Sequence, residues 1–60
     1  MNRQEKEEYF VTNCDKYDFR KNTKGFRDDV FKFSDYILDL KIEILNELIE
    51  DRNEENNLNK

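Results

Sequence analysis

The stretch "LDLKIEIL", residues 38–45, decides how this chain folds. Leu38, Leu40, Ile42 and Ile44 alternate with Asp39, Lys41 and Glu43, the period-two pattern of a half-buried strand. Reading on through "LNELIE", residues 45–50, brings in the pairs Ile44/Leu45 and Leu48/Ile49, which recur at helical spacing. At about 100° per residue, Phe26, Val30, Phe33, Ile37, Leu40, Ile44 and Leu48 fall in one stripe, stepping by four and three residues as packed helices do. Phe31, Leu38, Ile42, Leu45 and Ile49 form a second stripe roughly 130° around. The alternation arises where these two stripes run side by side. A strand would account for residues 38–44 alone, with "YFVT" at 9–12 as its one available partner. A helix accounts for every Phe, Val, Leu and Ile from 26 to 49 and leaves out only Tyr36. The pattern predicts a helix.

Working outward, Phe10, Cys14 and Tyr17 follow the i, i+4, i+7 rule with Val11 beside them, which predicts a first helix over about 3–19. Arg3 and Glu7 are spaced for an ion pair along it. Residues 20–25 hold the turn chemistry, with Asn22, Thr23 and Gly25 suiting a helix end followed by a new start. Asp28 and Asp29 are expected in the first turn of the next helix, and Arg20, Lys21 and Lys24 near the negative end of the first, each complementing a macrodipole. The second helix is expected over about 26–52. It contains neither Gly nor Pro, and Ser34 in "FSDY" is the residue that would cap a fresh helix if the run were broken. Residues 53–60, "NEENNLNK", read as a flexible polar tail. The expected fold is therefore all-α, a single helical hairpin domain over 1–52.

Sixty residues form at most one small domain, and such a chain buries only about 60% of the surface its unfolded form exposes. Small folds compensate with disulfides, a metal or association. Cys14 is the only cysteine and the chain has no His, which excludes an internal disulfide and a conventional zinc site. Association is what remains. The apolar arc of the second helix spans about 200°, twice the roughly 100° stripe of an ordinary surface helix. One short partner helix covers one stripe and leaves the other in water. The sequence therefore predicts a homodimer, an antiparallel pair of hairpins forming a four-helix bundle, or a docking face for another protein. The residues assigned to oligomer or partner contact are Phe33, Ile37, Leu40, Ile44 and Leu48 on one stripe and Phe31, Leu38, Ile42, Leu45 and Ile49 on the other.

Chemistry has few carriers here. No catalytic, cofactor-binding or metal-binding residues are assigned. The usual general base is missing with His, Cys14 is followed by the unfavourable charge of Asp15, and Gly25 stands alone rather than in a phosphate loop. Carboxylate pairs such as Asp39/Glu43 are ordinary on solvated helices. The charge is distributed unevenly, at −2 over residues 1–15, +3 over 16–33 and −5 over 34–60. An acidic C-terminal half reads first as a solubilising helix end, and otherwise as a surface for a basic partner or an imitation of nucleic-acid phosphates. The basic cluster Arg20, Lys21, Lys24 and Arg27 is the candidate nucleic-acid contact, although Asp28 and Asp29 stand where a base-reading helix would begin. No apolar run reaches a membrane span, the N-terminal ten residues lack a signal peptide's apolar core, and a lone cysteine fits a reducing compartment. The reading is a cytoplasmic helical interaction module, a regulator or inhibitor that occupies a partner's surface. A dimeric nucleic-acid-binding regulator is the alternative.

Overall fold

Asn2 begins the first helix by accepting a hydrogen bond from the Glu5 backbone N–H at 2.9 Å, while Glu5 accepts from the Asn2 N–H at 3.1 Å. This reciprocal box satisfies two of the four unpaired donors at a helix start. The computed structural model describes residues 1–58, with side chains through residue 53. Within them lie three helices and no strand: α1 (Arg3–Lys16), α2 (Lys24–Lys32) and α3 (Asp35–Leu58). "LDLKIEIL" is helical throughout.

α1 stops three residues short of the expected Phe19, by a device that needs no glycine. Asp18 adopts φ 61°, the left-handed conformation, one position past the helix cap Tyr17. The Phe19 N–H then donates to the Cys14 carbonyl at 2.9 Å and the Asp18 N–H to the Asp15 carbonyl at 3.1 Å. These two bonds make a Schellman closure, which satisfies carbonyls the helix end leaves open. α2 starts at Lys24, two residues before the expected Phe26, with Thr23 Oγ1 accepting from the Phe26 N–H at 3.2 Å. Asp28 and Asp29 consequently lie beyond its first turn, which instead holds Lys24 and Arg27. The macrodipole argument for those two aspartates does not apply.

The larger correction concerns the second helix, which is two helices rather than one run over 26–52. Phe33 is extended, at φ −65° and ψ 141°, and Ser34 caps α3 by accepting from the Ile37 N–H at 3.2 Å. The break therefore falls within "FSDY". α3 then continues helical past Arg52 to Leu58, where a polar tail was expected; residues 59 and 60 of that tail lie outside the described residues.

The break reverses the chain. Arg27 pairs with Glu8 and Arg3 reaches the end of α2, so α2 runs antiparallel to α1. Arg3 pairs with Asp35, Lys6 with Asp39, and the Tyr9 hydroxyl donates to Asn46, so α3 runs parallel to α1. The helix nearest to α3 along its length is thus α1, which packs on both others. The break also resets the helical phase. In α2 the first stripe faces inward, through Phe26, Val30 and the half-buried Phe33. In α3 the second stripe does, through Leu38, Ile42, Leu45 and Ile49. α1 contributes Phe10, Val11 and Cys14, and Phe10 lies between Phe26 and Phe33 with ring centroids 5.8 and 6.4 Å away. Leu38 and Val30 are 0% and 1% exposed. Burying one such side chain contributes roughly 1.5–3 kcal/mol.

Candidate functional site

With the second stripe of α3 taken by α1, the first is left outside. Ile37 and Leu40 are each 38% exposed, Leu48 45% and Ile44 56%. Their steps of three, four and four residues set them on one side of α3, over about 17 Å of helix at 1.5 Å per residue. α1 cannot reach them, because it is committed to the face carrying Leu38 and Leu45. An apolar line of this length is more than the solvated side of a helix ordinarily carries.

Beside the stripe lies a shallow groove of about 160 Å³ between α3 and the end of α1, lined by Phe10, Cys14, Phe19, Lys41, Ile44, Leu45 and Leu48. Lys41 is the only charged residue in that lining. The Schellman closure positions Phe19 there, since its backbone is tied to Cys14. Phe19 is held further by Tyr17, stacked at 6.3 Å, and by the Arg52 guanidinium 5.3 Å from its ring centroid. Arg52 also donates to the Tyr17 carbonyl, so one side chain joins α3 to the close of α1. Lys41 lies 5.2 Å from the Phe33 ring centroid. Both basic residues of α3 in the described region are therefore drawn toward aromatic rings.

The opposite margin of the stripe is acidic. On a helix, rows of residues four apart run side by side. The row Glu43, Glu47, Asp51 adjoins the row Leu40, Ile44, Leu48, and all three carboxylates are exposed. Among the described residues the α3 carboxylates with ion-pair partners are Asp35, held by Arg3 at 2.8 Å, and Asp39, held by Lys6 at 2.7 Å. Glu43, Glu47 and Asp51 have none there.

The residues assigned from sequence to an assembly face thus separate into three groups. Leu38 and Leu45 are buried in the chain's own core; Phe33, Ile42 and Ile49 are half-buried against it. Ile37, Leu40, Ile44 and Leu48 form the exposed stripe. Phe31, 75% exposed, stands apart from it beside a second depression of about 290 Å³ between α1 and α2. That depression contains Glu7 and Glu8, whose charges are met by Arg3 at 2.7 Å and Arg27 at 3.2 Å. Phe19, Phe10 and Cys14 border the exposed stripe without having been assigned to it. The place of Phe19 depends on the left-handed Asp18, which sequence periodicity does not register.

The basic cluster is brought together at the α1–α2 turn but is partly occupied. Arg20 pairs with Asp29 at 3.3 Å and lies 4.5 Å from the Phe26 ring centroid. Arg27 donates to Asn22 at 2.6 Å as well as pairing with Glu8. Lys21 and Lys24 are exposed and meet no carboxylate among the described residues. Burial pushes the Cys14 thiol's pKa up, and the nearby Arg20 charge opposes this less strongly. No helix among the described residues is long and apolar enough to cross a membrane. No protein-family model, curated protein or solved structure matches this chain.

Proposed function

We propose that this chain is a small protein–protein interaction module, a regulator or inhibitor that acts by laying α3 against a partner's surface. The observation that carries the reading is the exposed stripe Ile37, Leu40, Ile44 and Leu48, left over after α1 has covered the other apolar side of the same helix. Four large aliphatic side chains in one line are a recognised basis for helix-in-groove docking. In this reading the protein works in a reducing, cytoplasmic setting, with Cys14 as packing rather than chemistry.

The test compares the wild-type chain with Leu40→Asp and Ile44→Asp as baits in the native host. A partner held by the wild type at moderate salt and lost from both variants supports the reading, as does loss of the chain's effect on that partner's activity. A partner held equally by all three chains removes α3 from the interaction. A second reading, nucleic-acid binding at the α1–α2 turn, draws on the exposed Lys21 and Lys24; it requires a salt-sensitive mobility shift that Lys21→Glu and Lys24→Glu abolish.

A further inference from the structure

The stripe on α3 has an acidic margin on one side and a groove on the other, and this asymmetry bears on what covers it. Glu43, Glu47 and Asp51 run as one row directly beside Leu40, Ile44 and Leu48. The neighbouring basic groups do not neutralise that row. Lys41 and Arg52 are turned to the Phe33 and Phe19 rings, while Arg3 and Lys6 are engaged with Asp35 and Asp39.

A second copy is a poor complement to such a margin. A two-fold contact sets the same patch of both chains together. In an antiparallel pair of α3 helices each acidic row meets its own counterpart. In a parallel pair the acidic C-terminal halves lie alongside each other with their dipoles aligned. Like charges brought together under a partly dehydrated interface are costly in the antiparallel arrangement; in the parallel one the acidic row faces the margin of Lys41 and Arg52, which are already held against aromatic rings.

Resting on the interaction-module reading above, we infer that the occupant of this face is a basic amphipathic helix of another protein. Its apolar residues lie at three- and four-residue steps against Ile37, Leu40, Ile44 and Leu48. Lys or Arg along one edge meets Glu43, Glu47 and Asp51. The groove of about 160 Å³ beside the stripe takes one large apolar anchor from that helix. A shallow groove of that size has room for one apolar side chain. The stripe's length of about 17 Å corresponds to about three turns of the incoming helix.

Two synthetic helical peptides of about 18 residues, or five turns, test this. Both carry the same Leu stripe; one is flanked by Lys and Arg, the other by Glu at those positions. Binding to the full chain is read by fluorescence anisotropy at low and high salt, and the chain's mass by sedimentation. The expected result is that the basic peptide binds more tightly by roughly tenfold or more, with the gap narrowing near 0.5 M salt as charges are screened. Glu43→Lys with Glu47→Lys reverses the preference. Ile44→Asp weakens the basic peptide even though it adds negative charge. Ile44 lies outside the core, so this variant keeps the wild-type helical signal.

Equal affinity for the two peptides overturns the charge inference while leaving the docking face intact. Undiminished binding of the basic peptide to Ile44→Asp also overturns it, because attraction would then be independent of the stripe. If neither peptide binds and the chain sediments as a dimer, a second copy covers the face and the inference fails. If neither binds and the chain is a monomer, the inference and the interaction-module reading fail together.

Discussion

The guanidinium of Arg3, at the start of α1, donates to the carbonyl oxygen of Phe33 at 2.6 Å, where α2 ends. The same Nη2 reaches the Val30 and Phe31 carbonyls at 3.2 and 3.3 Å, and Nη1 reaches Asp35 at 2.8 Å. A cation is thereby set at the negative end of α2 and against the first residue of α3, so that one side chain joins all three helices at the break. Hydrogen bonding by Glu7, and to a smaller degree by Asp35, holds the guanidinium's pKa above its ordinary value despite some loss of hydration.

Replacing Arg3 by Met removes those contacts while keeping an unbranched apolar stem. Amides in and just after the break, from Phe33 to Leu38, are expected to exchange with solvent faster in Arg3→Met, with those of mid-α1 little changed. Arg3→Lys should restore only part of the protection, because an ammonium lacks the planar fork that serves several acceptors at once. Exchange followed residue by residue by NMR checks this; uniform acceleration along the chain would refute it.

Leu38 and Ile44 lie six residues apart on α3 and should respond oppositely to truncation. Leu38→Ala empties a fully buried site, at a cost of about 2–5 kcal/mol. At 0.05–0.15 kcal/mol per residue a chain of 60 residues holds about 3–9 kcal/mol in all, so this variant gives up a large share of that stability and its urea midpoint falls markedly. Ile44→Ala, on the exposed stripe, should change stability by less than about 0.5 kcal/mol. Urea denaturation of both chains, followed by circular dichroism, separates core from exposed stripe.

Asp18 offers the reverse experiment. A left-handed backbone costs a residue with a Cβ roughly 1–2 kcal/mol, and the carboxylate also sits at the negative end of α1. Asp18→Gly relieves both while adding some freedom to the unfolded chain. A net gain of roughly 0.5–1 kcal/mol is expected, visible as a higher urea midpoint with unchanged slope. A loss of stability would mean that the Asp18 side chain has a part in the closure beyond its backbone.

The thiol of Cys14 predicts a pH dependence. Burial raises its folded pKa above the unfolded value of about 8.5. The folded state then binds the proton more tightly, so the stabilisation is complete below the unfolded pKa and is lost as pH rises through the folded one. The denaturation midpoint should hold from about pH 7 to 8 and decline above about pH 9. The Cys14→Ala chain should lack that part of the decline, which isolates it from lysine and tyrosine titration.

What the sequence conveyed was chiefly periodicity. The helical nature of residues 38–45, the inward Phe10, Val11 and Cys14, and the Arg3–Glu7 pair at 2.7 Å all follow from spacing along one segment. What it did not convey depends on partners remote in the chain or on single backbone angles. Ser34 is an adequate cap on its own, but the break it opens is held by Arg3, thirty-one positions earlier. The end of α1 was expected near Phe19 and falls at Lys16, closed by Asp18, a residue that takes positive φ less readily than glycine. For the candidate site, the two stripes of α3 were legible as a pair. Which one remains outside was not, because that choice follows from the phase shift at Phe33 and from α1 lying parallel to α3.

That parallel alignment also governs the order in which the chain comes together. The contacts Arg20–Asp29 and Arg27–Glu8, which hold α2 to the turn and to α1, span 9 and 19 residues, whereas Arg3–Asp35, Tyr9–Asn46 and Tyr17–Arg52 span 32, 37 and 35. Closing the longer loops costs more entropy and waits on the shorter ones. During synthesis α1 and α2 leave the ribosome ahead of α3 and can pair as a hairpin before α3 is free to dock. Until α3 docks, both of its apolar sides compete for α1, and the nascent helix is at its most adhesive. Only when Leu38 and Leu45 have been claimed does the chain acquire a defined outer face to offer anything else.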